Sequence, residues 1–444
     1  MSLQHIEIVP SNITSSGKLS FKSGQPVVQF VIGEADRHLL GSSVRLVGRF
    51  NVWANDTGTL LPVLADGIRM SEKLGMYSII DQLHISSQKT GQTIESIRHF
   101  NRMMGSYLPV TSSEQDSIGH SYETALTFPN FAGHQAGVVN NAQADTTANS
   151  FSIHLPCGLF LGANPIPLSG TWGLGGLNIE IHLAPDSNVL FSGDRASTPP
   201  AVSASLQDAY YELSDVRLVA EVQTPAPDVL AQLMSRTSNT YEYNSITSFF
   251  NTVNSANGII NYNLGVSKCL GIFANVVPAN HINNLQYDGL STLPFTNSDG
   301  TAAKVQQLVF TRAGERYPLE YNIDTLQRTD INDNSADSQI SRNYLNAVMA
   351  FSRIQRTQPS PLNVKYKNYA ANYSEAKHLI SGGSMWGLGV SYDGISGDGV
   401  DFSTVPLGIN LTMDLTTDQP NAVFVFAHCK NVVVSSPQGI QVLS

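Results

Sequence analysis

Strict alternation of apolar and polar residues is the dominant pattern along the chain. In LNIEIHL (177–183) four aliphatic residues alternate with three polar ones, and segments 44–52, 151–155 and 317–323 repeat the pattern. Successive side chains of a β-strand leave opposite faces of the sheet, so such alternation is typical of a strand with one buried face. These segments therefore predict strands that cover a core.

Other apolar runs show no alternation. Segments 27–32, 270–277 and 422–427 are almost continuously apolar, which predicts central strands covered on both faces. Clusters of Gly, Pro, Asn and Asp separate nearly all of these runs. Many short strands divided by such turn residues indicate an all-β sandwich or barrel.

Two stretches have apolar residues near helical spacing. The first starts at Thr93, a suitable N-cap residue, and runs to Leu108, with Pro109 just beyond it. The second covers 338–354. Both predict helices whose apolar stripe packs against a sheet.

An internal repeat is the most informative feature of the sequence. GLNIEIHLAPD (176–186) aligns with GINLTMDLTTD (408–418), 232 residues later, and a Pro-Leu pair precedes each segment. Each copy is followed by an apolar segment, 209–222 or 422–434, which predicts a closing pair of strands. The chain is therefore predicted to contain two similar units in tandem.

Prolines divide these units. QTPAPDV (223–229) contains Pro225 and Pro227, which favour a stiff connection and cannot continue a strand ladder. We expect four segments, which are an N-terminal arm (1–24), a first domain (25–222), a linker (223–235) and a second domain (236–444). The first unit also has a long connection between Leu183 and Tyr210, which predicts a loop.

Charge narrows the class of protein. Of 444 residues, 25 are Lys or Arg and 35 are Asp or Glu, which gives a net charge of −10. Proteins that neutralise nucleic-acid phosphates need clustered basic residues, so no specific nucleic-acid binding is expected. Charged residues are only 14% of the chain, which suits large contact surfaces because charged groups are costly to desolvate.

Cysteine content and the N-terminal sequence indicate the compartment. Cys157, Cys269 and Cys429 are an odd number and lie far apart, so we expect buried thiols rather than a disulfide framework. No secretory signal and no run of 18 apolar residues occurs, which predicts folding in a reducing compartment without a membrane span. The sequons at Asn12, Asn55, Asn372 and Asn410 are then interpreted as chance matches.

Catalytic and cofactor motifs are missing. HExxH, GxSxG, the dinucleotide-binding GxGxxG and a complete phosphate-binding loop do not occur. His154 and His182 fall on the polar faces of predicted strands, and Asp393, Asp398 and Asp401 lie in a Gly-rich loop that favours a solvated turn over a calcium site. We expect no catalytic, cofactor-binding or metal-binding residues, no cofactor and no enzymatic activity.

The tandem units, with LNIEIHL, YYELSDVRLVAEV (210–222) and AGERYPLEYNI (313–323), resemble the double jelly-roll major capsid proteins of tailless icosahedral DNA viruses, the lineage of adenoviruses, virophages and polinton-like viruses. The resemblance implies an all-β fold of two tandem eight-stranded jelly rolls with a few short helices in the loops. It also implies homotrimers of pseudo-hexagonal outline that tile an icosahedral virus shell.

The same resemblance implies the partners and the location. Trimer–trimer contacts, a penton protein and minor capsid proteins would complete the shell, and an internal membrane would lie beneath it in some members. The protein would assemble inside the host cell and reside in the virion.

Two other functions stay open from the residues. A two-domain jelly-roll carbohydrate-binding or attachment protein could stack sugars on Trp172, Trp386 or Tyr392, which lie in Gly-rich loops. A two-domain cupin enzyme would require a bound metal.

Overall fold

The structure, a computed structural model, describes most of the chain. It covers residues 2–13, 17–22, 24–53, 69–70, 74–111, 150–162, 164–191, 207–286, 289–290, 304–316, 323–324, 388–392, 399–414, 420–436 and 438–444.

Strands account for most of the described residues. Those of the first half are β1 (Ser2–Ile8), β2 (Lys18–Leu19), β3 (Val27–Ile32), β4 (His38–Trp53), β5 (Arg69–Met70), β6 (Ile80–Ser87), β7 (Thr93–Arg98), β8 (Ser150–His154), β9 (Ile166–Pro167), β10 (Leu177–Leu183), β11 (Leu190–Phe191) and β12 (Tyr210–Thr224). Those of the second half are β13 (Asn239–Val253), β14 (Asn257–Tyr262), β15 (Cys269–Pro278), β16 (Lys304–Arg312), β17 (Glu315–Arg316), β18 (Ile323–Asp324), β19 (Leu388–Ser391), β20 (Leu407–Asp414), β21 (Asn421–Ser436) and β22 (Gly439–Leu443). The helices are α1 (Phe100–Thr111), α2 (Asp186–Val189) and α3 (Pro227–Ser235), and the 3-10 turns are Gly75–Ile79 and Ala279–His281.

The strands of each half form a sandwich of two antiparallel sheets. In the first sandwich one sheet has the order β1-β12-β4-β8, with β2 beside β12 and β9 beside β4, and the other has the order β3-β10-β6-β7. In the second sandwich the orders are β13-β21-β15-β19, with β22 beside β21, and β14-β20-β16-β17, with β18 beside β16. A separate two-stranded sheet joins β5 to β11.

Both sandwiches have the same topology. When the principal strands of each half are numbered one to eight along the chain, both halves read 1-8-3-6 in one sheet and 2-7-4-5 in the other. Two sheets of four strands connected in this way form a jelly roll. The fold is therefore a double jelly roll, as the resemblance in the sequence implied.

The internal repeat falls on equivalent strands. β10 and β20 are the seventh strand of their sandwiches, and Ile179 and Leu411, which the repeat aligns, are both fully buried. Ile179 lies opposite Ile85 of β6, and Leu411 lies opposite Leu308 of β16. Alternate residues of β10 point into the core, as its pattern predicts.

The first predicted helix is wrong in its N-terminal half. Thr93–Arg98 is strand β7, which pairs with β6, and α1 begins only at Phe100 and continues past Pro109 to Thr111. Ile94 and Ile97 are both buried because β7 lies between its own core and the second sandwich. A strand covered on both faces loses its alternation, and the remaining spacing imitates a helix. The second predicted helix, 338–354, lies outside the described residues.

Other local predictions also need correction. Segment 27–32 is an edge strand with alternating burial, whereas β15 and the first nine residues of β21 are buried on both faces. The predicted closing strand pairs are single strands of 15 and 16 residues, β12 and β21. The connection after Leu183 begins with α2 and β11 rather than a loop, and Leu190 is buried there.

The segments predicted as arm and linker contain regular structure. β1 and β2 of segment 1–24 both pair with β12. Segment 223–235 holds the end of β12 and then α3, which has Pro227 at its first position, where the missing N–H of proline is not needed. Among the described residues no helix is long and apolar enough to cross a membrane.

Candidate functional site: the contact between the two sandwiches

The most developed polar site among the described residues lies where the sandwiches meet. β7 is the last strand of its sheet, β13 is the first strand of its own, and these two edges face each other. Helix α1 and the turn at 157–162 belong to the first sandwich and extend the contact on either side of β7. An edge strand has backbone groups without ladder partners, so such a contact must satisfy them by other means.

The Glu95 carboxylate joins the two sandwiches. Its oxygens accept hydrogen bonds from the backbone N–H groups of Gly158 at 3.0 Å and Leu159 at 2.9 Å in the first sandwich, and from that of Ile246 at 2.8 Å in the second. The Cys157 thiol also bonds to this carboxylate. Glu95 thus satisfies an edge N–H of β13 with a side chain held by its own sandwich.

Burial sets the electrostatics of this group. Loss of solvent raises the pKa of Glu95, and the backbone hydrogen bonds oppose that rise without cancelling it. Burial, together with the neighbouring Glu95 charge, raises the pKa of the Cys157 thiol well above its usual range. The thiol therefore stays protonated and acts as a donor, not as a nucleophile.

Two more hydrogen bonds connect β7 to β13. The Tyr243 hydroxyl donates to the carbonyl of Ile94 at 2.6 Å, and the N–H of Arg98 donates to the Ser248 hydroxyl at 2.8 Å. With Glu95, these bonds link the two strands at three points along their length. Because each link uses a side chain, the strands are fixed relative to each other without forming one continuous sheet.

Gly158 permits the close approach of the two sandwiches. A Cβ atom at this position would lie 2.3 Å from the carbonyl oxygen of Asn244 in β13. That separation is far below van der Waals contact with a backbone atom, so any other residue would push the 157–162 turn away from β13.

Helix α1 covers the outer face of the second sandwich. The Asn275 side-chain amide donates to the carbonyl of Arg102 at 3.0 Å and to the Ser106 hydroxyl at 2.7 Å. Arg102 donates to the carbonyl of Gly289 at 2.7 Å, and its guanidinium lies 4.6 Å from the ring centre of Phe424. This cover explains why β15 and the first half of β21 are buried on both faces.

The residues considered for catalysis and metal binding do not converge. His154 lies 2.8 Å from Arg45, and His182 lies 4.0 Å from Glu180. Asp401 accepts a hydrogen bond from the N–H of Ser403, while Asp393 and Asp398 lie outside the described residues. Within the described ranges no group of three metal-ligating side chains occurs.

The cysteines and the candidate sugar-binding aromatics are buried. All three cysteines are buried and free, as expected, and Cys269 lies opposite Cys429 in the β15–β21 ladder. Trp172 is buried with its indole N–H donating to Asp36 at 3.2 Å, and Tyr392 is buried too. Trp386 lies outside the described residues. Neither described aromatic offers a ring face to a sugar.

Sequence reasoning missed the residues of this contact. Glu95 lies in the segment whose spacing predicts a helix, and Tyr243 and Asn275 lie in strands that show no motif. One signal was present: Glu95 is the only charged residue in the segment from Thr93 to Ile97. A carboxylate between apolar residues on a strand indicates a buried acid with specific partners.

Comparison with known proteins agrees with the fold. No family model and no curated protein matches the sequence. Among solved structures, the chain is similar to a quasi-atomic model of the PBCV-1 virus capsid (TM-score 0.57, 11% identity, covering 100% of this chain and 96% of that one). It is also similar to the Faustovirus major capsid protein (0.51, 11%, 98% and 90%) and to the mavirus major capsid protein (0.50, 10%, 99% and 89%). The shared fold extends over nearly the whole of each chain.

Proposed function

We propose that this chain is a major capsid protein whose homotrimers tile an icosahedral virus shell. One observation carries the proposal. The chain contains two jelly rolls of identical strand order, joined edge to edge, and this arrangement matches capsid proteins over nearly their whole length. Because each chain has two equivalent units, a trimer has six similar domains. Such a trimer suits a position in a shell where it contacts six neighbouring trimers.

The contact between the sandwiches supports a role as a rigid tile. Three side-chain links between β7 and β13, and the cover provided by α1, hold the two units at one angle. A shell subunit needs a fixed angle because errors in it accumulate over a facet. We also propose that the chain is not an enzyme.

The proposal extends to the domains, partners and location. Segments 25–222 and 236–444 are the two building units, connected by 223–235, with 1–24 adding strands to the first. The main partner is the chain itself, first in the trimer and then between trimers. Penton and minor capsid proteins complete the shell, beneath which a membrane can lie, and the protein resides in the virion after assembly in the host cell.

The oligomeric state of the purified chain tests the proposal. Size-exclusion chromatography with light scattering should give three times the chain mass of 48.0 kDa, and negative-stain images should show a six-lobed outline. A protein that stays monomeric over the accessible concentration range would contradict the assignment. A monomer that binds a glycan array would instead favour the carbohydrate-binding alternative.

A further inference from the structure

Two of the three free cysteines are direct neighbours in the core of the second sandwich. Cys269 is the first residue of β15, and it pairs with Cys429 of β21 in the antiparallel ladder. Residues that lie opposite each other in a ladder point to the same face of the sheet. The two thiols are in hydrogen-bond contact, and neither residue is more than 1% exposed.

The backbone hydrogen bonds around this pair define its geometry. The N–H of Lys430 donates to the carbonyl of the opposite residue, Lys268, at 2.9 Å. Cys269 instead donates its N–H to the carbonyl of Val400 at 2.9 Å and accepts the N–H of Val400 at 2.8 Å. Cys269 and Cys429 are therefore a pair without hydrogen bonds between them, and the Cα atoms of such pairs lie about 4.5 Å apart. A disulfide accepts Cα separations of about 4.4–6.8 Å, so it fits this pair without a large movement of the strands.

The pair lies at an end of the β15–β21 ladder. Ser267 and Lys268, which precede Cys269, are exposed, and the register of the two strands shifts between Cys269 and Gly271. A shift of this kind interrupts the ladder locally. Strand ends open at a lower free-energy cost than strand centres, so a small oxidant can reach the two thiols while the sandwich stays folded.

We propose that Cys269 and Cys429 form an oxidisable dithiol whose disulfide connects β15 to β21 in the second sandwich. Hydrogen peroxide is the oxidant. One thiolate attacks a peroxide oxygen and breaks the O–O bond, which gives a sulfenic acid and hydroxide. The second thiolate attacks the sulfenic sulfur, so that the S–S bond forms, the S–O bond breaks and a second hydroxide leaves. Each hydroxide takes up one of the two thiol protons, so two thiols and one peroxide give one disulfide and two waters.

The surroundings of the pair set the conditions for this reaction. Burial and the neighbouring Cys429 thiol raise the pKa of Cys269 well above its usual range. Because the thiolate is the reacting species, oxidation should be slow at neutral pH and faster at alkaline pH. In a reducing compartment the pair stays a dithiol, and the disulfide forms where the surroundings are oxidising.

For a shell that leaves its host cell, the disulfide would stabilise the second jelly roll after assembly. This consequence rests on the proposed function. The reaction itself does not, because both cysteines belong to one sandwich of one chain. A chain that stays monomeric but forms the disulfide would contradict the proposed function alone, and a trimer that does not form it would contradict the present proposal alone.

Counting thiols in the folded full chain tests the proposal. The protein is treated with hydrogen peroxide at mildly alkaline pH, freed of peroxide with catalase, unfolded in the presence of iodoacetamide and analysed by mass spectrometry. We expect one alkylated cysteine, against three in untreated protein, and a peptide map that links Cys269 to Cys429. The remaining thiol should be Cys157, which bonds to the Glu95 carboxylate and not to another thiol. Dithiothreitol should restore all three.

Three other results would overturn the proposal. The first is three alkylated cysteines after prolonged treatment, which would mean that the pair does not react. The second is a sulfinic acid at either position, which would mean that the sulfenic acid is not captured by the second thiol. The third is a disulfide between two chains.

The thermal midpoint gives a second readout. Disulfides stabilise mainly by restricting the unfolded chain, more so for distant residues, and Cys269 and Cys429 are 160 positions apart. Oxidation should raise the midpoint of wild type by at least about 5 °C. It should leave Cys429→Ala unchanged, whereas Cys157→Ala retains the pair and should gain as wild type does. A linked wild type with an unchanged midpoint would show that the disulfide does not stabilise the sandwich, and this comparison needs neither variant to fold.

Discussion

The two sandwiches reach one topology with different strands. In the first, the 16-residue β4 runs along nearly the whole of β12. In the second, the 10-residue β15 covers only Asn421–Cys429 of β21, and the C-terminal strand β22 pairs with Val432–Ser436 on the same side. The two sandwiches thus share one pairing pattern although their strands differ in length. Strands of either length can make the hydrogen bonds to their neighbours and contribute side chains to the core.

They also differ in what covers their outer faces. β12 alternates between buried and less buried residues along its length, whereas nine consecutive residues of β21 are buried. The second sandwich is covered by α1 and the β7 edge, and the first has no comparable cover from the described residues. The difference shows that the two sandwiches, although they share one topology, are not equivalent in what packs against their outer faces.

Introducing a charge into either core should have the largest effect on stability of all the changes considered. The effect should be nearly the same in the two cores. Ile179→Asp and Leu411→Asp each place a carboxylate in a fully buried site, which costs several kcal/mol or prevents folding. Differential scanning calorimetry should show loss of the cooperative transition in both variants. Asn410→Asp, at an exposed position next to Leu411, is the control and should melt as wild type does. Folded, assembled Ile179→Asp protein would disprove the equivalence of the two cores.

Gly158→Ala should separate the sandwiches without damaging either core. The added methyl group would lie 2.3 Å from the Asn244 carbonyl oxygen, and overpacking of this kind costs about 1–3 kcal/mol. Gly162→Ala is the matched control, since its nearest neighbour would be the Leu159 carbonyl oxygen at 3.3 Å. Urea denaturation should give a lower midpoint for Gly158→Ala alone. Equal midpoints for both variants would mean that the sandwiches do not depend on this approach.

Glu95 should make the contact within the chain sensitive to pH. Because burial raises the pKa of Glu95, its contribution to stability is complete below the pKa of the unfolded chain and is lost as pH rises through the folded value. Glu95→Gln keeps an oxygen acceptor and removes the titration, so its unfolding free energy should fall less than that of wild type between pH 4 and pH 8. The exposed Glu315→Gln is the control and should follow wild type.

Two further groups should make the unfolding free energy depend on pH, with smaller effects than that of Glu95. Their effects should have opposite signs in the two sandwiches. Burial raises the pKa of Asp186 in the first sandwich to about 6, so its contribution is lost as pH rises from about 4 through 6. Burial lowers the pKa of His281 in the second to about 4, so its contribution is lost as pH falls from 6.5 through 4.

Denaturation of Asp186→Asn and His281→Gln over pH 4 to 8 measures these two effects. In Asp186→Asn, only the part of the pH dependence of the unfolding free energy that is due to Asp186 should disappear. In His281→Gln, only the part that is due to His281 should disappear. Parallel changes in both variants would show that the two sandwiches titrate as one unit.

The sequence by itself determined the strands with one buried face and the tandem repeat. Alternation in β10 is a local property, because one face meets the core and the other meets a more polar environment. The equivalence of Ile179 and Leu411 could therefore be predicted from two short segments. Composition also predicts, from the small number of Lys and Arg residues, that the chain does not serve to neutralise phosphates.

Only the tertiary structure decided the rest. Thr93–Arg98 is a strand and 27–32 is an edge because of what packs beside them, and no local pattern records that neighbour. The role of Glu95 depends on Gly158 and Ile246, which lie 63 and 151 residues away along the chain. A strand is buried on its second face, and a buried charge finds its hydrogen-bond partners, only when segments distant in sequence pack together. These features therefore exist only in the folded chain.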